Sequence, residues 1–216
     1  LWEKYTGWTG YQYSGNNPVN LVDRDGRVVI ATDKASKDNI INSVEKPYRN
    51  LVAFNDNGVA YLKENPKLNP LMKDVQNLSN IGNFTNIGAL QYLVNHKDVI
   101  EVSQNKYINF EQTEGENSGI YNSYNLDGDR ANGATLLKSS TNESVVSLKN
   151  VHQVIVSPNQ FTGLSGPATK GSTTAHELYG HLFLYLWGQN GWGTPYYRGH
   201  EGETRKHIIK AEQNSK

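Results

Sequence analysis

The six residues His176, Glu177, Leu178, Tyr179, Gly180 and His181 constrain this chain more than any other stretch. Thr173 and Thr174 precede them, and Leu182, Phe183, Leu184, Leu186 and Trp187 follow. The segment therefore reads as a helix with apolar surroundings and a threonine N-cap. Two imidazoles and a carboxylate on such a helix need a partner, because unpaired buried polarity is costly. A metal cation is one. Geometry adds a condition. At 3.6 residues per turn, a step of four rotates a side chain by about 40° and a step of five by about 140°. His176 and His181 are five apart, so they diverge on a regular α-helix. They share a face only if the turn between them holds one extra residue, as in a π-bulge. The spacing predicts a metal-binding helix with a π-type distortion, and a Gly180 that tolerates the altered backbone.

The rest of the composition narrows the chemistry. With no cysteine among 216 residues, disulfides and thiolate-held zinc are excluded. Lys+Arg and Asp+Glu are both 21, so net charge is zero and nucleic-acid binding has no support. No apolar run approaches the roughly 20 residues of a membrane span. The length suits one domain with a core and a short appendage. The chain opens at Leu1 without Met or a signal peptide, and is read as a piece of a longer protein.

Local patterns predict an α+β fold with a mixed sheet. Val28 and Ile30 suggest a strand, and Ser36–Glu45 a short helix. Asn55-Asp56-Asn57-Gly58 is a hairpin signal between Leu51–Phe54 and Val59–Leu62. Helical spacing recurs at Leu68–Leu78 and Thr85–Asn95. Strands are expected at Val99–Val102, Tyr107–Phe110, Ile120–Tyr124, Val145–Leu148 and Val151–Val156, the last as an edge strand before the histidine helix. Asn125–Gly133 and Ser157–Ser172 read as loops, and Glu203–Ser215 as a final helix.

His176–His181 resembles the H-E-x-x-G-H motif of dipeptidyl peptidase III enzymes, residue for residue and including Gly180. The resemblance implies a zincin-like metallopeptidase with Zn²⁺ as cofactor, His176 and His181 as ligands, and Glu177 as general base. That family's second motif has no clear counterpart, so its dipeptidase specificity is not carried over. Catalytic zinc needs a third protein ligand and one open position. Glu212 is expected to supply it, from a helix side shared with Arg205, Ile208, Ala211 and Ser215, where a carboxylate wants a cation. Glu212-Gln-Asn-Ser215 also resembles the Glu-x-x-small pattern of Glu-zincins. His200 is the rival, with Glu203 and His207 next in line.

The run Tyr11–Arg27, YQYSGNNPVNLVDRDGR, resembles the end of an Rhs/YD-repeat core. Arg24 stands where the D-P-x-G box has proline, which leaves self-cleavage in doubt. The resemblance implies a core remnant over residues 1–33 and a variable C-terminal effector or toxin domain over residues 34–216. It also implies a secreted or cell-surface setting, delivery toward another cell, and a cognate immunity protein as partner. Other candidates carry less. Asp127, Asp129 and Asn132 lack EF-hand spacing and read as a polar turn. His152 on a strand and His96 at a helix end read as structural or surface residues, and Tyr196 or Tyr197 as an oxyanion donor. The expected function is cleavage of a peptide or protein substrate by zinc-activated water. The alternatives are a non-catalytic interaction domain with a zincin shape, or an amidase acting on cell-wall peptides.

Overall fold

The computed structural model of the chain describes residues 28–63, 84–113, 118–141, 143–187, 200 and 202–216. The Rhs-like stretch 1–27, the expected helix at Leu68–Leu78, and both Tyr196 and Tyr197 lie outside the described residues.

Four strands make the central sheet. β1 (Val28–Ala31), β4 (Val99–Gln104) and β9 (His152–Val156) run parallel, and β7 (Gly133–Leu136) closes the order β1-β4-β9-β7 antiparallel to β9. The edge expected at Val151–Val156 is therefore interior, because a short strand absent from the sequence reading pairs with it. A hairpin, β2 (Val52–Phe54) with β3 (Ala60–Leu62), turns at Asn55–Gly58 as anticipated. Asn55 Oδ1 accepts the N–H of Asn57 and of Val59, and Gly58 takes a φ of 78° that a side chain would strain. A three-stranded sheet, β5 (Tyr107–Gln112), β6 (Gly119–Asn125) and β8 (Val145–Ser147), has the order β6-β5-β8.

Helix starts follow their caps. α1 (Lys34–Ser43) begins at Asp33, whose carboxylate accepts the Ser36 N–H at 2.7 Å. α2 (Asn86–Val94) is capped by Thr85, and Glu45 places its carboxylate on the Asn86 and Ile87 amides at the positive helix end. The histidine helix starts earlier than expected. Thr169 caps α3 (Lys170–Ala175) in a capping box with Ser172, whereas the Thr173 hydroxyl bonds Gln160 and that of Thr174 bonds the Lys170 carbonyl. The helix continues as a π-helical segment, His176–Leu182, and then as α4 (Phe183–Trp187). A small hairpin, β10 (Thr162–Gly163) and β11 (Gly166–Pro167), precedes it, and α5 (Gly202–Asn214) ends the chain.

Strand alternation divides the apolar residues between two faces. Val154 and Val156 join Val29, Ala31, Ile100 and Val102 in the main core, with Ile40, Ile87, Leu90, Leu178, Tyr179 and Leu182 from the helices. Ile155 and Leu136 join Ile108 and Leu126 in a second cluster, against Phe110 of the smaller sheet. Polar ties fix the helices to one another. Asn86 Nδ2 donates to the Ser43 carbonyl at 2.6 Å and to the Ala211 carbonyl at 2.8 Å. Ser43 Oγ is spent on the Ile40 carbonyl, so the buried Tyr179 hydroxyl donates to it at 2.8 Å.

Candidate metal centre

The π-helical turn does what the five-residue spacing required. It brings His176 and His181 onto one face, with their Nε2 atoms 3.2 Å apart. Gly180 matters for a different reason than expected. A Cβ there would lie 2.6 Å from Ile208 Cγ1 and 3.3 Å from Ile208 Cα, so glycine lets α5 press against the π turn. That contact brings the C-terminal helix, and Glu212 with it, up to the histidines.

His200 completes the cluster. Its Nε2 is 3.2 Å from that of His176 and 3.2 Å from that of His181. Among the described residues this trio is the one group of histidines and carboxylates arranged to hold a metal ion. Three equal edges of 3.2 Å put each nitrogen about 1.85 Å from the triangle's centre. A Zn–N bond of roughly 2.0–2.1 Å is then met about 0.9 Å off the plane, with N–Zn–N angles of about 103°. That is close to tetrahedral and leaves a fourth position open.

Hydrogen bonding alone cannot satisfy this triangle. Each contact needs one N–H and one lone pair, and each neutral Nε2 offers only one of them. With three nitrogens, at least two are alike, so at least one contact opposes like with like. His176 has a fixed tautomer, because its Nδ1 lies 2.7 Å from Glu212 Oε1 and carries the proton. Its Nε2 therefore presents a lone pair to the cluster. A cation at the centre turns three lone pairs from a conflict into ligands.

Glu212 stands behind this arrangement. The buried carboxylate accepts the His176 Nδ1–H, the Ser165 N–H at 2.7 Å and the Leu164 N–H at 3.3 Å. Glu212, expected as the third metal ligand, is set instead on the far nitrogen of His176 and on two backbone amides, and its rival His200 joins the trio. Orienting a ligand histidine through its second nitrogen is an outer-shell role. Burial raises the Glu212 carboxyl, but the bonds from His176 and Ser165 outweigh this and hold it below its ordinary value. Burial likewise depresses His176, and its bond to Glu212 with the charges of Glu177 and Glu212 brings it above its ordinary value. Burial, with His176 and His181 nearby, keeps His200 low.

Glu177 is buried beside the trio. Thr135 on β7 donates from its hydroxyl toward Glu177 Oε2 at 2.8 Å and lies 3.0 Å from the Glu177 carbonyl. Gly133, two residues earlier, makes room for the glutamate, since a Cβ there would come within 3.0 Å of Glu177 Cγ. Neither residue is marked in the sequence, because Gly133-Ala134-Thr135-Leu136 follows a polar loop and is too short to show strand alternation.

The cleft has two lobes that share Gly133, His176, Glu177 and His200. One, of about 320 Å³, is completed by Thr135, Leu137, Val145 and His181. The other, of about 260 Å³, is walled by the β10–β11 hairpin and α3. The remaining candidates lie elsewhere. His207 is buried edge-on against Phe84, with ring centroids 5.4 Å apart. Glu203 sits in the first turn of α5, with its side chain outside the described residues. His152 is fully buried in the sheet. Asp127 holds the Ser157 hydroxyl and the Asn159 amide, and Asn132 Oδ1 accepts the Phe161 N–H, as suits a pinned polar turn. No helix is long and apolar enough to cross a membrane among the described residues. Compared with models of protein families, with curated proteins and with solved structures, the chain matches none of them.

Proposed function

We propose that this chain is a zinc-dependent peptidase with a zincin-like arrangement, in which His176, His181 and His200 hold the metal and Glu177 is the general base. The observation that carries the reading is the triangle of Nε2 atoms with a buried glutamate beside it. Imidazole sets suit several divalent metals, but three protein ligands with one open tetrahedral position is the pattern of catalytic zinc. Zinc held there supplies Lewis acidity toward a carbonyl oxygen and makes water acidic enough to react near neutral pH. Glu177 takes the proton of the attacking water and returns it to the leaving nitrogen. Glu212 keeps His176 in the tautomer whose Nε2 faces the cluster.

A peptide substrate is favoured by the open side of β7. Ser157 N–H donates to the Asn132 carbonyl, so by antiparallel alternation the backbone groups of Gly133 and Thr135 point away from β9. Both residues line the cleft, which offers an extended chain two strand residues whose outward backbone groups are unpaired among the described residues. The reading as an exported effector with an immunity partner rests on the Rhs-like residues Tyr11–Arg27 alone. The test pairs zinc-loaded parent protein with Glu177→Gln on a mixed peptide library. Cleavage by the parent, and its loss in a variant that still binds zinc, supports the reading. Equal cleavage by both, or none by the parent, removes it.

A further inference from the structure

We propose that Thr135 is a positioning residue for Glu177, holding one carboxylate oxygen so that the other is the basic oxygen in the cleft. The inference rests on the peptidase reading above. Its basis is the division of labour between the two oxygens. Oε2 is engaged by the Thr135 hydroxyl at 2.8 Å. Oε1 has no hydrogen bond among the described residues, and Glu177 lines both cleft lobes. A glutamate side chain has three rotatable bonds, and its freedom opposes any single working geometry. Thr135 removes that freedom from a rigid element, because β7 is tied to β9 on one side and Gly133 seats the glutamate stem. The Glu177 backbone carbonyl lies 3.0 Å from the same hydroxyl, whose single proton goes to the closer Oε2. Among the described residues Thr135 makes no hydrogen bond to the histidine nitrogens or to Glu212, so the effect is expected on the proton-transfer step. The step itself is ordinary: the O–H bond of the attacking water breaks, Oε1 gains that proton, and the leaving nitrogen later receives it.

The test compares Thr135→Val, which keeps the shape, with Thr135→Ser, which keeps the hydroxyl. Both are zinc-loaded full chains, assayed on a peptide that the parent cleaves from the mixed library. The expected result for Thr135→Val is a kcat lower by about 100-fold, with KM within about twofold and zinc affinity unchanged. Thr135→Ser restores kcat to within about threefold of the parent. Parent-like kcat in Thr135→Val, or no rescue by serine, overturns the proposal. So does zinc loss in Thr135→Val, which marks a structural role instead. Crystal structures of the zinc-loaded variants give a reading that needs no substrate. The Glu177 carboxylate leaves its position in Thr135→Val and keeps it in Thr135→Ser; an unmoved carboxylate in Thr135→Val overturns the proposal even if no peptide is cleaved. Failure of the parent to cleave, with the carboxylate displaced as expected, counts against the peptidase reading and not against the positioning.

Discussion

Five of the six histidines fall into two clusters, and the contrast between them separates a candidate metal site from a partly buried hydrogen-bond network. At one cluster, His96 and His152 flank Asp98. His152 Nδ1 accepts the Lys138 N–H at 3.2 Å, so its Nε2 carries the proton and faces Asp98 Oδ2 at 3.5 Å. His96 Nδ1 accepts the Asp98 N–H at 3.2 Å, and Lys138 Nζ donates to Asp98 Oδ1 at 2.6 Å. Apart from the long His152–Asp98 contact, donors there meet acceptors, and the single carboxylate sits among cationic or potentially cationic groups. At the other cluster, three imidazole nitrogens meet one another, and the carboxylate stands behind them on a nitrogen facing away. The number of histidines and acids is similar. What differs is that three imidazole nitrogens converge where no placement of protons pairs all three contacts. That convergence, rather than the residue count, marks the trio as the group able to hold a metal ion.

The sharpest way to break the comparison is to remove one histidine from each cluster. His181→Ala or His200→Ala is expected to abolish stoichiometric zinc, from about one per chain to none, while His152→Asn keeps it. Metal analysis of purified, folded variants decides, and zinc retained in His200→Ala shows that the triangle is not the site. Glu212→Gln tests the residue that orients the centre. An outer-shell partner of a ligand histidine is worth about 10–100-fold in affinity, so competition with a chelator should show a loss of that size. Unchanged affinity removes Glu212 from the account.

The cluster around Asp98 has its own signature in acid. Burial pushes His152 down to about 4 despite the nearby Asp98. The unfolded chain then binds more protons than the folded one between about pH 4 and the ordinary histidine value near 6.5. The contribution is present above that window and is lost as pH falls through it, by up to roughly 3 kcal/mol. Denaturant unfolding of metal-free protein across this window should show the loss, reduced in His152→Asn, whose amide oxygen can still accept the Lys138 N–H. A smaller effect tests the contact that joins α5 to the π turn. Gly180→Ala forces a methyl against Ile208 and should cost about 1–3 kcal/mol of stability. A neutral outcome means that α5 shifts freely.

The parts legible in the sequence were those in which local chemistry decides the outcome. The π distortion followed from a count of five residues, and most strands and the main hairpin from their apolar spacing and turn residues. β7 was not legible, because Gly133-Ala134-Thr135-Leu136 is too short to show alternation and follows a polar loop. With it went Thr135, Gly133 and the sheet's true edge. His200 was named as the rival to Glu212, and no spacing rule decides which downstream side chain joins His176 and His181. Glu212 was expected to be the third metal ligand, because a carboxylate on an apolar helix side wants a cation. Only packing could reveal that an imidazole N–H and two backbone amides would satisfy it.

The central claim is the ligand set, and X-ray absorption at the zinc edge reads it most directly. Zinc-loaded protein at one equivalent is expected to show three imidazole nitrogens at about 2.0–2.1 Å and one further light-atom ligand. Two imidazoles with a carboxylate, or zinc bound without imidazole scattering, would contradict it.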